Sequence, residues 1–477
     1  MLQVFFYVSL KKCSIVVPKL ASRNDSLDAL RGISILLMVL SGSIAFGGIL
    51  PAWMYHAQVP PPDHIFNPAL PGITWVDLVF PFFLFSMGVA IPLSLRKWEG
   101  KANATVHVWW IAIRRYLLLT WFALFLYHMK AWVMAEQPTA MHYLISIGAF
   151  VLLFFELYQP IKDADKKIFG ALRIAAFAVS TYLLFSLPFN KGQGFMLEKS
   201  DIIIVVLGNM AFFGTVTWWH TRHNPWLRIG ILPFMMAIFL GGKVESSINE
   251  FILNASILPW MYKFYYLKYL FIIIPGTMAG EIMLRQNNEG LQKNVHFITG
   301  LLLFATIITN VCFLFSRMLI LNLCITIAML TAIYLLLKNH RQTLAFQLFS
   351  IGSYLLLQGL FFEAYEGGIK KDSSTFSYYF VTTGLAIYML SFFYSWQHTK
   401  VGAAINRYLA SNGQNPMVAY VAGGLLLTPI LYLTGAQAWM DWMNGNAFTG
   451  FLKGLIYTGI VSLITFGFTR YKWFWKT

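Results

Sequence analysis

Residues 74–95 read TWVDLVFPFFLFSMGVAIPLSL, and this stretch decides the fold class of the protein. Asp77 is its only ionisable residue, and apolar side chains fill most of the other positions. A helix needs about 20 mostly apolar residues to cross the roughly 30 Å hydrocarbon core of a bilayer. The stretch therefore predicts a transmembrane helix.

The composition of the whole chain agrees with a membrane protein. Hydrophobic residues make up 58% of the 477 residues, charged residues make up 11%, and the mean hydropathy is +0.63. Because an ordinary soluble domain has about 25% charged residues, that class is excluded. An aromatic share of 17% excludes a disordered chain, and three cysteines are too few for a disulfide-stapled module. The net charge of +16 forms no basic stripe, so we expect no nucleic-acid partner.

Further apolar runs of similar length lie on both sides of this stretch. They predict an all-α, polytopic helical bundle in the lipid bilayer with about 12–14 transmembrane helices. The fourteen candidate spans are 29–50, 74–95, 110–129, 140–158, 169–187, 201–219, 227–243, 264–284, 296–315, 317–337, 342–362, 377–396, 415–433 and 450–470.

The Lys and Arg residues indicate the topology. With a cytoplasmic N-terminus, 25 of the 35 fall on the inner side and 10 on the outer side, as the positive-inside rule requires. We therefore expect both termini in the cytoplasm (N-in, C-in). Residues 1–24 are predicted to be a cytoplasmic N-terminal segment without a cleavable signal peptide. Residues 25–477 are predicted to form one polytopic domain, because no linker or repeat divides them.

The outer loop at about 51–73 carries two histidines among several prolines, which stiffen its backbone. Imidazole is the usual general base at neutral pH and can be a nucleophile, so His56 and His64 are candidate catalysts. The competing interpretation makes them interfacial residues without chemistry. Asp77 either stabilises a helix N-terminus or orients an imidazole. Asp63 and Asn67 share this mouth and are candidate substrate contacts.

A second outer loop, EAYEGGIKKDSSTFSYYF at 363–380, contains Glu363 and Glu366. These carboxylates are either contacts for a polar substrate or solvated surface groups. No metal site is predicted, because HTRH at 220–223 lacks further ligands at suitable spacing. Phosphate-binding loops and the GxSxG nucleophile elbow are absent from the sequence.

Several motifs together resemble a known family. SLDALRGISILLMV at 26–39, WMYHA at 53–57 and GITWVDLVFPFFLFSMGVAIPLSL at 72–95 resemble the heparan-α-glucosaminide N-acetyltransferase family and its bacterial relatives, which share a domain of unknown function. The LDALRG string also resembles the wider class of transmembrane acyltransferases. IPGTMAGEIMLR at 274–285, GIKKDSSTFSYYFVTTGLA at 368–386 and GQNPMVAY at 413–420 extend the resemblance along the chain.

The resemblance implies an acetyltransferase of the inner (cytoplasmic) membrane that passes an acetyl group from cytosolic acetyl-CoA to an amino sugar or glycan on the periplasmic side. The family's catalytic histidine precedes an alanine in the loop after the first conserved helix, which favours His56 followed by Ala57. Counting back from Asp77 favours His64 instead, so both stay candidates. The family's animal members have an Asn near the end of the first helix, where this chain has Gly42.

The implied acetyl-CoA needs cations for its phosphates at the inner face. The candidates are Arg31, Arg114, Arg115 and Arg285. Competing interpretations are structural: Arg31 lies three residues after Asp28, and Arg285 four residues after Glu281, at spacings that form ion pairs along a helix.

Two other functions stay open at this point. One is O-acylation of periplasmic glycans, since a hydroxyl acceptor leaves the same residues in use. The other is a secondary transporter or flippase, favoured by the glycine and proline interruptions IPGTMAG and FGGILP. The scarcity of charge near the membrane midplane argues against it. The oligomeric state is open between a monomer and a homodimer.

Overall fold

The computed structural model describes residues 24–160, 165–189, 192–256, 258–285 and 292–477. Within these ranges the regular structure is helical, and thirteen helical segments are long and apolar enough to cross a membrane. The predicted all-α polytopic bundle is therefore confirmed. The predicted cytoplasmic segment 1–24 lies outside the described residues except for its last position.

Nineteen α-helices follow one another along the described chain. They are α1 (Asp25–Ser43), α2 (Trp75–Leu95), α3 (Ala104–His128), α4 (Ala131–Met134), α5 (Ala140–Leu157), α6 (Lys166–Ser186), α7 (Ile202–Thr221), α8 (Pro225–Gly241), α9 (Ile248–Asn254), α10 (Leu270–Arg285), α11 (Lys293–Phe315), α12 (Leu319–Leu337), α13 (Leu344–Tyr365), α14 (Phe376–Trp396), α15 (Lys400–Gly413), α16 (Pro416–Val421), α17 (Thr428–Leu433), α18 (Gln437–Trp442) and α19 (Ala447–Arg470).

The expected span 227–243 corresponds to α8, whose 17 residues extend about 25 Å at 1.5 Å per residue, the lower limit for crossing the hydrocarbon core. Arg228 in its first turn binds Glu281 near the end of α10, and Phe239 in its last turn contacts Lys268 just before α10 begins, so α8 runs alongside the whole of α10. The expected spans 296–315 and 317–337, which nearly touch, correspond to the separate helices α11 and α12. Arg317 adopts a positive φ of 62° at the turn between them.

Polar residues define where the first two long helices begin. Asn24 caps α1 by accepting a hydrogen bond from the Leu27 amide. Thr74 and Asp77 form a capping box at the start of α2. The Thr74 hydroxyl oxygen accepts a hydrogen bond from the Val76 amide, and the Asp77 carboxylate accepts one from the Thr74 amide. Pro81 and Pro92 lie inside α2, where neighbouring helices surround them.

Close backbone approach fixes the packing of α1 against α15. A Cβ at Gly32 would lie 1.9 Å from the Leu409 carbonyl oxygen, and one at Gly413 would lie 1.8 Å from the Asp28 carbonyl oxygen. Only glycine fits at such contacts, as is common where membrane helices touch.

The helix α14 lies in the middle of the bundle, packed against α13, α11, α2, α10 and α1. Its whole apolar window is buried inside the protein. By contrast, α6 and α12 bury 17% and 22% of their windows, so they lie at the periphery, where lipid covers them.

The first two long helices run in opposite directions and define two ends of the bundle. The end with Ser43 and Trp75 is here called the His56 end, because the loop between these residues carries His56. The end with Asp25 and Leu95 is called the Arg31 end.

Candidate active site

The loop between α1 and α2 is held in one shape by His64. The Nε2 atom of His64 accepts a hydrogen bond from the Gly47 amide at 3.0 Å, and its Nδ1 atom lies 3.3 Å from the Val59 carbonyl oxygen. Its ring also packs edge-on against Phe46 and Tyr55. Both nitrogens of His64 are therefore engaged within the loop.

Tyr55 anchors the same loop to the bundle. Its hydroxyl donates to the Ala45 carbonyl oxygen, and its own carbonyl accepts from the Thr74 hydroxyl at 2.6 Å. Burial raises the pKa of the Tyr55 hydroxyl, which keeps it protonated as a hydrogen-bond donor. The backbone next to Tyr55 is thus tied to the first turn of α2.

Asp77 joins the helix cap to His56. Its Oδ2 atom accepts from the Thr74 amide at 2.9 Å and from the Ala57 amide at 3.2 Å. Its Oδ1 atom lies 2.8 Å from His56 Nδ1. The Asp77 side chain is 2% exposed, whereas that of His56 is 39% exposed. The buried carboxylate therefore holds an imidazole that can still be reached from the His56 end.

This contact determines the protonation pattern of a neutral His56. An ionised carboxylate only accepts hydrogen bonds, so Nδ1 carries the hydrogen that points to Asp77. The Nε2 atom then keeps its lone pair. A lone pair on a positioned imidazole can take a proton or attack an acyl group.

Lys371 completes the group, although nothing in the sequence set it apart from the other polar residues of its loop. Its Nζ atom lies 3.2 Å from His56 Nδ1 and 3.3 Å from His56 Nε2. The two residues are 315 positions apart. The available signal was the resemblance at 368–386, a segment that contains this lysine.

Several contacts join the two loops that carry His56 and Lys371. Gln58 and Asp372 exchange two hydrogen bonds, one of which runs from the Asp372 amide to Gln58 Oε1 at 2.8 Å. The Gly72 amide donates to the Ile369 carbonyl oxygen at 2.7 Å. The Tyr378 hydroxyl donates to the Asp77 carbonyl oxygen at 2.8 Å. The start of α14 thereby supports the start of α2.

The two glutamates of the second loop have partners within the protein. Glu363 is 2% exposed and forms an ion pair with Arg317. Glu366 accepts from the Phe376 and Ser377 amides at 2.7 and 2.8 Å, so it caps α14. These contacts make both carboxylates supports of the loop that carries Lys371.

The other two candidate substrate contacts lie on the first loop. Asp63 and Asn67 are both exposed to solvent. Asn67 Oδ1 accepts from the Ala69 amide at 3.0 Å, and the Asn67 amide donates to the Gln58 carbonyl oxygen at 2.9 Å. Asp63 is thus free to meet a polar ligand, and Asn67 helps to shape the loop.

At the Arg31 end, two of the four candidate arginines come together. Arg31 bonds Asp28 at 2.9 Å, and its Nη2 atom lies 3.5 Å from the Ser86 carbonyl oxygen on α2. Arg115 on α3 is close enough for its charge to repel that of Arg31. The Nε atom of Arg115 is buried without a hydrogen-bond partner. Because Arg31 is already paired with Asp28, the buried and unsatisfied donor of Arg115 is the feature at this end that favours an anion.

The remaining two candidate arginines are separate from this pair. Arg114 is exposed, and its charge repels that of Arg173. The Arg285 side chain is 63% exposed and lies 3.9 Å from Glu281. Glu281 also binds the fully buried Arg228 at 2.7 Å. Arg285 therefore belongs to the ion-pair group of Glu281 and Arg228 rather than to the pair of Arg31 and Arg115.

An apolar cavity of about 30 Å³ lies between the arginine pair and Asp77. Its lining includes Ile35 and Leu119, each one helical turn beyond Arg31 and Arg115 respectively, and Phe80, three residues after Asp77. From Ser86, which Arg31 contacts, to Asp77 is nine residues along α2, or about 14 Å. The cavity thus lies at a depth between the two polar sites, and neither site contributes a side chain to its lining.

The family comparison covers the segment that holds most of these residues. A family model described as "Domain of unknown function (DUF5009)" matches residues 23–283. The chain belongs to the DUF5009 family. A search of curated proteins finds no match.

The DUF5009 match includes His56, Asp77, Arg31 and Arg115, whereas Lys371 lies beyond its end. The candidate active site therefore combines the DUF5009 segment with the loop before α14. Within the described part of the chain, no three His, Cys, Asp or Glu side chains are grouped as metal ligands would be. The arrangement of side chains is suited to acid–base or nucleophilic chemistry.

Proposed function

We propose that this DUF5009 protein is a membrane acetyltransferase that moves an acetyl group from acetyl-CoA at the Arg31 end to an amino sugar at the His56 end. The observation that carries the proposal is the 2.8 Å contact between the accessible His56 and the buried Asp77. It is supported by the charge interaction of Arg31 with Arg115 at the Arg31 end and by a small apolar cavity at a depth between the two.

His56 supplies the chemistry in this proposal. A thioester is already activated, so transfer needs a base to deprotonate the acceptor amine or a nucleophile to carry the acetyl group, together with positioning. The Nε2 lone pair of His56 suits both roles. Asp77 fixes the tautomer and stabilises the imidazolium that forms when Nε2 takes a proton.

Arg31 and Arg115 supply the binding site for the phosphates of acetyl-CoA. The pantetheine arm is mostly neutral, so it suits an apolar path of about 14 Å better than a charged ligand would. Because the cavity measures about 30 Å³, binding has to move its lining side chains apart. Closure in the absence of donor would also limit leakage of small solutes across the membrane.

The proposal includes an orientation, with the Arg31 end in the cytoplasm and the protein in the cytoplasmic membrane. Its support is the 25-to-10 distribution of Lys and Arg residues. Cysteine labelling at the exposed Asp63, in a chain whose native cysteines are replaced, tests it. A membrane-impermeant reagent is expected to label intact cells at this position. Labelling that requires opened cells would exclude transfer toward the outside.

A thiol-release assay tests the function itself. Purified protein in nanodiscs receives acetyl-CoA with glucosamine, or with glucose as the matched hydroxyl acceptor. Free thiol and acetylated sugar are expected with glucosamine, and His56→Ala is expected to abolish both while CoA binding persists. Product formed only from hydroxyl acceptors would make the protein an O-acyltransferase. Absence of any CoA binding would favour the transporter.

A further inference from the structure

We propose that Lys371 is a second catalytic residue, whose ammonium group stabilises the negative charge that develops on the acetyl carbonyl oxygen. This inference rests on the proposed acetyl transfer. The juxtaposition that carries it is the position of Lys371 Nζ, 3.2 Å and 3.3 Å from the two ring nitrogens of His56.

The two nearly equal distances show that Lys371 Nζ leaves the Nε2 lone pair of His56 free. An ammonium group aligned with the in-plane lone pair of Nε2 would be clearly farther from Nδ1 than from Nε2, because that lone pair points away from Nδ1. Lys371 Nζ instead lies off both lone-pair directions. The Nε2 atom can therefore still accept a proton or attack a carbonyl carbon while a positive charge lies beside it.

Within the described chain, Lys371 forms no direct ion pair, although its charge helps to stabilise the carboxylate of Asp77 beyond His56. Among the described residues, no carboxylate lies within salt-bridge distance of its Nζ atom. Asp77 Oδ1 is occupied by His56 Nδ1, and Asp77 Oδ2 by the backbone amides of Thr74 and Ala57. The ammonium group of Lys371 thus keeps donors available for a ligand next to His56 Nε2.

The backbone around Lys371 is fixed before any ligand arrives. The Lys370 amide donates to Thr375 Oγ1 at 3.0 Å, and the Thr375 amide donates back to the Lys370 carbonyl oxygen at 3.1 Å. On the other side of Lys371, the Asp372 amide binds Gln58 at 2.8 Å. A donor that is already in place needs no reorganisation during the reaction, which is the condition for effective oxyanion stabilisation.

The reaction step balances with these two residues. The acceptor amine attacks the thioester carbonyl carbon, a C–N bond forms, and the π electron pair of the C=O bond moves onto the oxygen beside Lys371 Nζ. His56 Nε2 takes one proton from the amine. When the C=O bond forms again, the C–S bond breaks, and the sulfur leaves with the bonding pair and takes the proton from His56. If the acetyl group first bonds to Nε2, the same oxygen carries the charge.

The test compares Lys371→Met with Lys371→Arg and with the control Lys370→Met, which removes the same charge one position away. Each variant is assayed with acetyl-CoA and with fluoroacetyl-CoA, whose carbonyl needs less stabilisation because fluorine withdraws electrons. Lys371→Met is expected to lower kcat by about 100-fold with acetyl-CoA, with CoA affinity unchanged. The loss is expected to be clearly smaller with fluoroacetyl-CoA. Lys371→Arg should recover part of the activity, and Lys370→Met should resemble the wild type.

Three outcomes would contradict this role. Equal losses with both donors would mean that Lys371 only holds the loop or the imidazole in place. Wild-type activity in Lys371→Met would exclude any catalytic role while leaving the acetyl-transfer proposal intact. A wild-type protein that transfers no acetyl group to any amino sugar would overturn the proposed function, and this inference with it.

Discussion

Replacing Asp77 by Asn tests the link between helix capping and catalysis. Asp77 Oδ2 accepts two backbone amides, from Thr74 and Ala57, at 2.9 and 3.2 Å, and Oδ1 faces His56 Nδ1 at 2.8 Å. An asparagine has one acceptor oxygen and one NH₂ group. We expect the oxygen to stay with the two amides, because turning it away would leave two buried donors unsatisfied at about 1–3 kcal/mol each. The NH₂ group then faces His56.

This orientation reverses the tautomer of His56. Facing a donor, Nδ1 has to accept, so the ring hydrogen moves to Nε2, which can no longer take a proton or attack a carbonyl. The same exchange in the Ser-His-Asp triad lowers kcat by about 10⁴-fold. We expect a loss of about 10³–10⁴-fold here, or about 4–5.5 kcal/mol of transition-state stabilisation. CoA affinity should change little, because Ser86, which Arg31 contacts, is about 14 Å from Asp77 along α2.

Thiol release from acetyl-CoA with glucosamine measures kcat, and calorimetry measures CoA affinity. The control is Glu250→Gln, which removes a carboxylate that accepts the Ser246 amide at the start of α9 and has no described contact with His56. It should leave kcat close to that of the wild type. Asp77→Asn activity within about threefold of the wild type would refute the tautomer argument, since this corresponds to less than about 1 kcal/mol. A parallel loss of CoA affinity would indicate a wider structural change.

Three further outcomes follow from the packing and the charges. His64→Ala should lower the free energy of opening the loop by about 1–2 kcal/mol, because it removes two hydrogen bonds, and limited proteolysis of the loop should be faster. The variant should retain acetyl transfer, and loss of transfer would move the catalytic role to His64. Gly413→Ala should lower the free energy of unfolding by at least about 2–3 kcal/mol, because its Cβ would lie 1.8 Å from a carbonyl oxygen. Gly459→Ala, with open space around it, should not lower the thermal midpoint, and equal midpoints for both variants would contradict the packing argument. Arg115→Ala should weaken CoA binding by about 10–100-fold in calorimetry. Arg285→Ala should leave CoA affinity nearly unchanged, because Arg285 is exposed and lies beside Glu281. The opposite order of affinities would place the phosphate site at Arg285.

The sequence predicts the helices because their signal is local. An apolar run such as 74–95 has to cross the bilayer wherever it lies in the bundle, so its neighbours are not needed. The shortest expected span, α8, has 17 residues, and its end is set by a turn that hydropathy does not reveal. The dyad of Asp77 and His56 was similarly accessible, because both residues lie within one loop and the helix that follows it.

Contacts between segments that are far apart along the chain could not be predicted from one sequence. Lys371 looks like any lysine of a polar loop until α14 brings it to His56 from 315 residues away. Glu363 looked available for substrate until Arg317, from another loop, proved to be its partner. Likewise, four arginines were equivalent candidates along the chain, and only the packing of α1 against its neighbours separates Arg31 and Arg115 from the others. Physical proximity between chain segments, rather than residue type, makes the distinction.

The burial of α14 predicts which helices can open locally and which stay closed until the whole protein unfolds. Its amides are shielded by protein on every side, so hydrogen–deuterium exchange along Phe376–Trp396 should require global unfolding, whereas the peripheral α6 and α12 should exchange in local openings. Alternating access in a secondary transporter usually rocks one half of the helix bundle against the other. In this protein the central helix α14 begins five residues after Lys371, so a shift of α14 would move Lys371 away from His56. Donor entry and product release are therefore expected to involve rearrangement of the outer helices around a stationary axis.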